Sequence, residues 1–256
     1  MTDQKVIYKV EDGVSIVSMN CAENLNAMDG ALIEQLTEAF ERAASDESSR
    51  AILLNSATRI FCSGGDLKTM YKGVKTGEVD FDAELSGAAG IMKAMRTNPK
   101  PIVGAVNGVA AGAGFPLALG CDYLIADENA SFVSAFVNVG LIPDTGGVFV
   151  LSRIIGESKT REIVFTGRPV SAAEAKDLGF VAEVVPAEDL AAVSMKQAKR
   201  FAKGPALSYQ KMKELLWQSN YEGWDEYAEQ EVAAQSACMH SQDFNNRVIA
   251  FVEKKK

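Results

Sequence analysis

Strand patterns and helix patterns alternate along most of this chain, and this order constrains the fold more than any other feature. The chain opens with strand-like segments at residues 5–10 and 14–19 around a turn at residues 11–13, as a β-hairpin would. Residues 29–44 then repeat apolar side chains at helical spacing, with Asp29 as a candidate N-cap. Buried strands are predicted by the apolar runs at residues 51–54, 101–106, 123–126 and 180–185. Alternation of this kind predicts an α/β fold with largely parallel pairing.

Helix patterns alone follow Pro186. Just before it, a capping box at residues 171–174 opens a helix that Gly179 ends. The amphipathic segments of the tail carry apolar stripes and no strand pattern, so they need a surface to cover. We therefore divide the chain into a core, residues 1–195, and a C-terminal helical region, residues 196–256. The tail segments are residues 205–218, 221–239 and 241–253.

Composition excludes several classes of function. With 256 residues, 47% of them apolar, the chain can bury a full core without metals or disulfides. Its 34 acidic residues outnumber 26 Lys and Arg, which argues against a nucleic-acid partner. No leader pattern and no run of roughly 18 apolar residues is present, so we expect a cytoplasmic protein that does not enter a membrane. The cysteines lack CxxC spacing and are interpreted as reduced thiols: Cys21, Cys62, Cys121 and Cys238.

Three familiar motifs are incomplete in this sequence. Gly112 and Gly114 follow a strand as in a dinucleotide fingerprint, but Leu117 replaces the third glycine. Ser63 lacks the full nucleophile elbow, and a serine triad would have to recruit His240, the single histidine, from the tail. One histidine is a poor basis for a zinc site, so we interpret His240 as a helix-end residue and assign no metal.

Two glycine-rich segments, residues 60–67 and 100–122, remain as candidates for the chemistry. Each exposes backbone amides at a turn into a predicted helix. Unpaired N–H groups at a helix start stabilise a developing anion, and two that converge form an oxyanion hole. The alternative is that the glycines only permit tight turns.

These segments form part of a longer set of motifs that resembles the crotonase (enoyl-CoA hydratase/isomerase) superfamily over nearly the whole chain. The motifs fall in the family's order: NLNAM at 24–28, FCSGGDL at 61–67, NGVAAGAG at 107–114, GLIPDTGG at 140–147 and AFVEK at 250–254. The resemblance implies a spiral of ββα units with a C-terminal helical region that forms a homotrimer or a dimer of trimers. It also implies an acyl-CoA thioester substrate, as in fatty acid metabolism or aromatic degradation. Coenzyme A is then part of the substrate, and no separate cofactor is expected.

The resemblance also assigns roles to particular residues. The oxyanion amides correspond to Gly65 and Ala113, and because the donors belong to the backbone, alanine at 113 does not exclude the role. Candidate contacts to coenzyme A come from the first glycine segment and the tail: Ala27, Cys62, Ser63, Gly64, Asp66, Leu67, Phe251 and Lys254.

The sequence departs from the family's hydratases at their two catalytic glutamates. These positions hold Pro116 and Phe136, neither of which can move a proton. Asp144 in the GLIPD turn is the remaining candidate acid or base. An aspartate there resembles the phenylacetate-pathway epoxide or oxepin isomerases and related enoyl-CoA isomerases. The alternative for Asp144 is an N-cap of the helix predicted over residues 146–155.

The leading hypothesis is therefore an isomerase that shifts a double bond, or performs an equivalent allylic rearrangement, in an acyl-CoA. The alternatives are an enoyl-CoA hydratase, a thioester hydrolase or dehalogenase with Asp144 as nucleophile, and a non-catalytic subunit that binds coenzyme A. The acyl group cannot be identified from a motif. We expect residues 71–98 to form the wall of its pocket, through Phe81, Leu85, Ile91, Met92 and Met95.

Overall fold

A computed structural model describes residues 4–76 and 81–253, with the backbone alone at residues 81–84. The fold opens with the predicted hairpin and then alternates strands with helices. The strands are β1 Val6–Glu11, β2 Val14–Met19, β3 Ala51–Ser56, β4 Ile102–Val106, β5 Val109–Ala111, β6 Tyr123–Asp127, β7 Ser131–Val133, β8 Pro169–Ser171 and β9 Glu183–Val185.

Helices lie between the later strands and make up the whole tail of the described chain. They are α1 Gly30–Ser45, α2 Leu67–Thr76, α3 Phe81–Thr97, α4 Gly114–Leu119, α5 Gly147–Ile155, α6 Glu157–Thr166, α7 Ala172–Asp177, α8 Leu190–Ala202, α9 Ala206–Asn220, α10 Trp224–Met239 and α11 Gln242–Glu253. Two 3₁₀ helices occupy Ala135–Val139 and Ala187–Asp189.

Among the described residues the strands form a six-stranded sheet and a three-stranded sheet. The larger has the order β1-β2-β3-β4-β6-β9, and only its β1–β2 pair is antiparallel. The smaller has the order β5-β7-β8, with β5 parallel to β7. Because β4 leads into β5 and β6 into β7, the chain passes twice from the large sheet to the small one. The predicted α/β fold with largely parallel pairing and a helical tail is confirmed.

From β2 to β6 the large sheet is buried on both faces, as parallel sheets are, whereas the edge strand β1 is partly exposed. Ile16, Leu53 and Val103 pack in one cluster with residues of α8, while Val17 and Leu54 face the main core on the other side. Alternate residues of one strand therefore pack into two different clusters, one on each face of the sheet. Since α8 lies against this sheet, the predicted division at residue 195 falls inside a helix that packs on the core.

Two predicted helix caps are present. The Asp29 carboxylate accepts the Leu32 N–H of α1 at 2.9 Å, and the Ser171 hydroxyl accepts the Glu174 N–H of α7 at 3.2 Å. His240 lies at the C-terminal cap of α10, as predicted for a helix-end residue. The predicted strand at residues 180–185 is shorter than expected.

In that segment the Ala182 N–H donates to Leu124 O at 2.8 Å and β9 continues the pairing, whereas the N–H groups of Phe180 and Val181 both donate to Ala175 O in α7. Strands of three residues such as β5, β7 and β8 were not predicted, since so short a run shows no alternation.

Candidate active site

The two glycine segments predicted to act together lie side by side. The Cys62 N–H donates to Val109 O at 3.0 Å, and the Ala111 N–H donates to Cys62 O at 2.9 Å. This short parallel pairing joins the first segment to β5 of the second. The ends of both segments are therefore brought to the same part of the molecule.

Glycine at position 64 is required by this close approach. Gly64 has φ +94°, and a Cβ atom there would lie 2.9 Å from Ala111 O and 3.1 Å from Gly112 Cα. Both the backbone conformation and the space exclude a side chain. The tight-turn interpretation of the glycines is correct at this position, and the turn places Gly65 beside the second segment.

The N–H groups of Gly65 and Ala113 have no acceptor among the described residues, whereas those of the adjacent Asp66 and Gly112 are paired. The Asp66 N–H donates to Met28 O at 3.3 Å, and the Gly112 N–H donates to Val133 O at 2.9 Å. Ala113 is the N-cap of α4, with φ −60°. Each segment thus contributes an N–H, at Gly65 and at Ala113, that can bind an external acceptor.

Gly65, Ala113 and Asp144 line one small cavity of about 30 Å³. It adjoins a cavity of about 200 Å³, with which it shares Gly65, Met70 and Asp144. The rest of the larger cavity is lined by Ser63, Gly64, Leu67, Gly112, Ala135, Phe136, Asn138, Val139, Leu141 and Phe251. The structure therefore brings the two unpaired amides and the predicted carboxylate to a common space.

Asp144 is buried, with 8% of its surface exposed. Its Oδ1 accepts the Thr145 hydroxyl at 3.0 Å, and its Oδ2 accepts Gln235 Nε2 at 3.0 Å. Gly146, rather than Asp144, is the N-cap of α5. The N-cap alternative is therefore wrong, because the carboxylate is turned to the Thr145 hydroxyl and the Gln235 amide.

Burial decides the acidity of Asp144. Removal from water raises the pKa of its carboxyl to about 6, although the hydrogen bonds from Gln235 and Thr145 act in the opposite direction. Phe136 belongs to the apolar lining of the larger cavity. Phe149 lines neither cavity at Asp144, and its ring packs edge-on against Trp224, 5.2 Å between centroids, in an aromatic cluster.

The turn that carries Asp144 is held by α10, a contribution that the sequence did not reveal. Glu231 Oε1 accepts the Gly146 N–H at 2.9 Å. The Gln235 amide accepts the Ile142 N–H and donates to Ile142 O, both at 2.9 Å. A signal was present: Glu231 and Gln235 are one helical turn apart and share a buried face with Trp224 and Met239. Because these polar residues lie in an otherwise apolar stripe of the helix, the pattern indicates that they are buried.

The candidate contacts to coenzyme A divide into two groups. Ser63, Gly64, Leu67 and Phe251 line the larger cavity. Asp66 instead caps α2 by accepting the Lys68 N–H at 2.9 Å. Ala27 and Cys62 also lie outside the lining of the larger cavity.

Ala27 and Cys62 are buried, and the Cys62 thiol donates to Asn26 O at 3.0 Å. Burial raises the pKa of this thiol to about 12, so it is no nucleophile at neutral pH. Lys254 lies outside the described residues.

The expected wall of the acyl pocket is formed in part by α3. Leu85 and Ala88 of α3 line the small cavity, with Met28, Ile33 and Met239 from elsewhere in the chain. The remaining α3 residues of the prediction, Ile91, Met92 and Met95, are fully buried in the main core. The side chain of Phe81 lies outside the described part.

Other surfaces of the described chain offer less chemistry. Clefts of about 800 and 340 Å³ lie along α8 and between α3 and α10, and neither is lined by the glycine segments. Within residues 4–76 and 85–253, whose side chains the structure describes, no three His, Cys, Asp or Glu side chains are grouped to hold a metal ion. In the same part of the chain, every helix is too short or too polar to cross a bilayer.

Parallel strands that bring two glycine turns together beside a buried carboxyl form a site for acid–base chemistry. A family model described as enoyl-CoA hydratase/isomerase matches residues 9–256. A trans-2-decenoyl acyl-carrier-protein isomerase from Streptococcus mutans is 32% identical over 100% of this chain and 98% of its own length. The 1,2-epoxyphenylacetyl-CoA isomerase of Escherichia coli is 32% identical over 98% of this chain and 96% of its own.

Solved structures give the same result. An enoyl-CoA hydratase from Mycobacterium avium subsp. paratuberculosis has a TM-score of 0.87 and 28% identity, covering 98% of this chain and 100% of that one. One from Bacillus halodurans has a TM-score of 0.90 and 26% identity, covering 96% and 99%. The chain belongs to the enoyl-CoA hydratase/isomerase family and is an enzyme of it, with the crotonase fold.

Proposed function

We propose that this enzyme moves a carbon–carbon double bond within an enoyl thioester, with Asp144 as the single proton carrier. The observation that carries the proposal is the small cavity that Asp144 shares with Gly65 and Ala113. A carboxyl with a pKa of about 6 is ionised at neutral pH and can still hold a proton during turnover. The two isomerase relatives give the proposal further support.

The reaction needs one base and one anion site. The thioester oxygen accepts the N–H groups of Gly65 and Ala113, and the Asp144 carboxylate removes a proton from carbon. The electron pair of the broken C–H bond shifts towards the thioester oxygen and forms a dienolate, which the two amides stabilise. Asp144 then returns the same proton two carbons along the chain. No water and no second reactant is consumed, and coenzyme A, where present, is part of the substrate.

Hydration is disfavoured by the residues at the two hydratase positions. Phe136 lines the larger cavity as an apolar side chain. Pro116 is in the first turn of α4, where proline is tolerated, and it packs beside Gly147. Since neither can activate water, addition across the double bond would have to use Asp144 alone.

The carrier of the acyl group is the finer question within this proposal. One relative is named for an acyl-carrier-protein thioester and the other for a coenzyme A thioester. Both carriers present the acyl group on the same kind of phosphopantetheine arm, so the amide site fits either. The leading substrates to test are 2-enoyl and 3-enoyl chains on each carrier, with a ring-containing CoA thioester as a third class.

The test combines substrate turnover with deuterium exchange beside the carbonyl of a saturated acyl-CoA. Exchange needs a base and an anion site and no leaving group. In Asp144→Asn the base is lost at similar size, so isomerisation and exchange should fall about a hundredfold or more, the usual contribution of a positioned acid or base. Asp225→Asn is the matched control, because Asp225 is exposed and only pairs with Lys93. Circular dichroism and thioester affinity should match wild type in both variants.

Other outcomes would identify the competing functions. Exchange that survives in Asp144→Asn shows that another residue is the base, and the mechanism is then wrong. A burst with stoichiometric labelling of Asp144 would indicate a nucleophile of the hydrolase or dehalogenase kind. Retained thioester affinity without turnover or exchange on any of these substrates would indicate a binding subunit.

A further inference from the structure

A second buried carboxyl, Glu231, lies behind the turn that carries Asp144. It is 5% exposed, although no lysine or arginine pairs with it among the described residues. Its Oε1 accepts the Gly146 N–H at 2.9 Å, and its Oε2 accepts the Tyr227 hydroxyl at 2.9 Å. It lines neither cavity at Asp144. Glu231 therefore contacts the turn and not the space for a substrate.

The turn depends on these contacts because its backbone is strained. Thr145 has φ +56°, a conformation that β-branched residues rarely adopt, and Gly146 follows with φ +75°. A Cβ atom at Gly146 would lie 2.4 Å from the Trp224 ring of α10. With Gln235 fixing Ile142 on the other side, α10 holds the chain on both sides of Asp144.

The two carboxyls also influence each other through charge. Burial, with a smaller contribution from the negative charge of Asp144, raises the pKa of Glu231 to about 7, although the hydrogen bonds from the Gly146 N–H and the Tyr227 hydroxyl act in the opposite direction. Because Coulomb repulsion is mutual, an ionised Glu231 equally strengthens the affinity of Asp144 for a proton. In the low dielectric of a buried site this repulsion is weakly screened.

Few other charges in the described chain face this pair. Tyr227 contacts Glu231 from α10 itself, and Arg153 of α5 lies close enough to Tyr227 to affect its acidity. Lys93 of α3 is engaged with Asp225 at the exposed start of α10. On α11, Arg247 pairs with Asp243 at the surface. Among the residues of α10, Glu231 and Gln235 are therefore the two that act on Asp144.

We propose that Glu231 is a positioning residue for the reaction at Asp144: it fixes the Thr145–Gly146 turn, and its negative charge makes Asp144 a stronger base. The inference rests on the proposed function, in which Asp144 is the base. It assigns to the helical tail a part in the chemistry, although the amides and the catalytic carboxyl come from the core.

The first measurement follows Asp144 directly. The carboxyl carbons of protein labelled with ¹³C at aspartate are titrated by NMR, with Asp144→Asn identifying the signal. Wild type should show two coupled steps for Asp144, because Glu231 ionises in the neighbouring range. Glu231→Gln keeps an oxygen for the Gly146 N–H and an amide for the Tyr227 hydroxyl, so Asp144 should then titrate in one step. This readout does not require that the substrate be known.

The second measurement is the pH profile of kcat/KM for isomerisation. The ratio of wild-type to Glu231→Gln kcat/KM should grow with pH and reach about threefold to tenfold at pH 8, because Asp144 is a weaker base once the neighbouring negative charge is removed. Glu229→Gln is the matched control: it makes the same change at an exposed position of α10 and should follow wild type. A purely structural Glu231 would instead lower the rate by the same factor at every pH.

Tyr227→Phe tests the inference without removing Glu231. The Tyr227 hydroxyl stabilises the Glu231 anion, so its loss should move the second step of the Asp144 titration to higher pH. An unmoved second step, or a Glu231→Gln titration identical to wild type, overturns the inference. If Glu231→Gln does not fold, Tyr227→Phe decides alone. A wild type that titrates in two steps but isomerises no thioester would instead refute the proposed function.

Discussion

At the scale of single residues, Asp144 combines the properties that a proton carrier needs with a cost to stability. Its carboxyl is shielded from water, receives hydrogen bonds from Thr145 and Gln235, and lies beside two backbone donors without a partner. Such a group is a better base than an exposed aspartate because its ionised form is less stable. The same property makes the folded state sensitive to pH.

We predict that Asp144→Asn stabilises the protein at pH 8. The pKa of Asp144 is 3.8 in the unfolded chain and about 6 in the folded protein. The proton on Asp144 therefore stabilises the folded state fully below pH 4, and this stabilisation is lost as pH rises through 6. A shift of this size corresponds to about 3 kcal/mol at most. Urea unfolding of the variant should give a gain over wild type at pH 8 that disappears near pH 4. The exposed Asp225→Asn should show no such dependence, and a variant less stable than wild type at pH 8 would contradict the prediction.

Sequence could identify Asp144 but not its surroundings. The residue belongs to a motif, and the two replaced glutamates, Pro116 and Phe136, could be recognised by position. Burial raises the pKa of Asp144, whereas a helix N-terminus would lower it, and which effect is larger depends on three-dimensional contacts. Gln235 is 91 positions away along the chain, and no local pattern couples it to Asp144.

At the scale of elements, the turns into α2 and α4 matter more than the helices themselves. The two turns leave the N–H groups of Gly65 and Ala113 without an acceptor among the described residues, where the first residues of a helix would otherwise point their donors into water. α4 is short, so these donors act chiefly through local hydrogen bonding. The function of the turn into α4 can be tested with a substitution that fits its backbone.

We predict that Ala113→Pro cripples turnover while the fold persists. Proline requires φ near −65°, and Ala113 has φ −60°, with an N–H that is unpaired in the described structure. The change removes a donor without breaking an internal hydrogen bond, and loss of one such donor costs about a hundredfold or more in kcat. Ala113→Gly, which retains the N–H, should lose far less. Equal losses in both variants, with native circular dichroism, would show that the amide is not used.

Elements of six residues or more were largely predictable, and the shortest were not. The hairpin, α1 and the tail helices follow from periodicity and caps. The strands of the small sheet do not, because three residues such as Val109–Ala111 are held by pairing with distant strands and not by their own pattern. This sheet is also what brings the glycine segments together, so the site geometry could not be obtained from the segments alone.

At the scale of the whole molecule, the helical tail has two faces with different tasks. α10 presents Glu231 and Gln235 to the core. α9 presents apolar side chains outward, with exposed fractions of 49% to 67% at Leu207, Met212, Leu215 and Leu216. A stripe of this kind on a water-facing helix is typical of a surface that another protein covers. The family resemblance implies that the covering surface belongs to another copy of this chain.

We predict a trimer, or a dimer of trimers, held in part by α9. Light scattering with size exclusion should give three or six protomers, and Leu215→Glu with Leu216→Glu should dissociate them, because burying two carboxylates in the interface is costly. Gln218→Glu, at an exposed polar position of the same helix, is the matched control for added charge. A wild type that is monomeric at micromolar concentration would contradict the prediction.

We expect the dissociated protomers in this experiment to keep the acid–base chemistry of the site. Gly65, Ala113, Asp144 and the α10 residues that hold the turn all come from one chain, so a folded protomer carries the complete acid–base arrangement. We therefore expect the dissociated variant to retain deuterium exchange that depends on Asp144, with a loss confined to stability and to thioester affinity. Exchange measured across a dilution series, where assembly falls with concentration, checks this directly. A loss of exchange in step with dissociation would instead show that a neighbouring protomer completes the site.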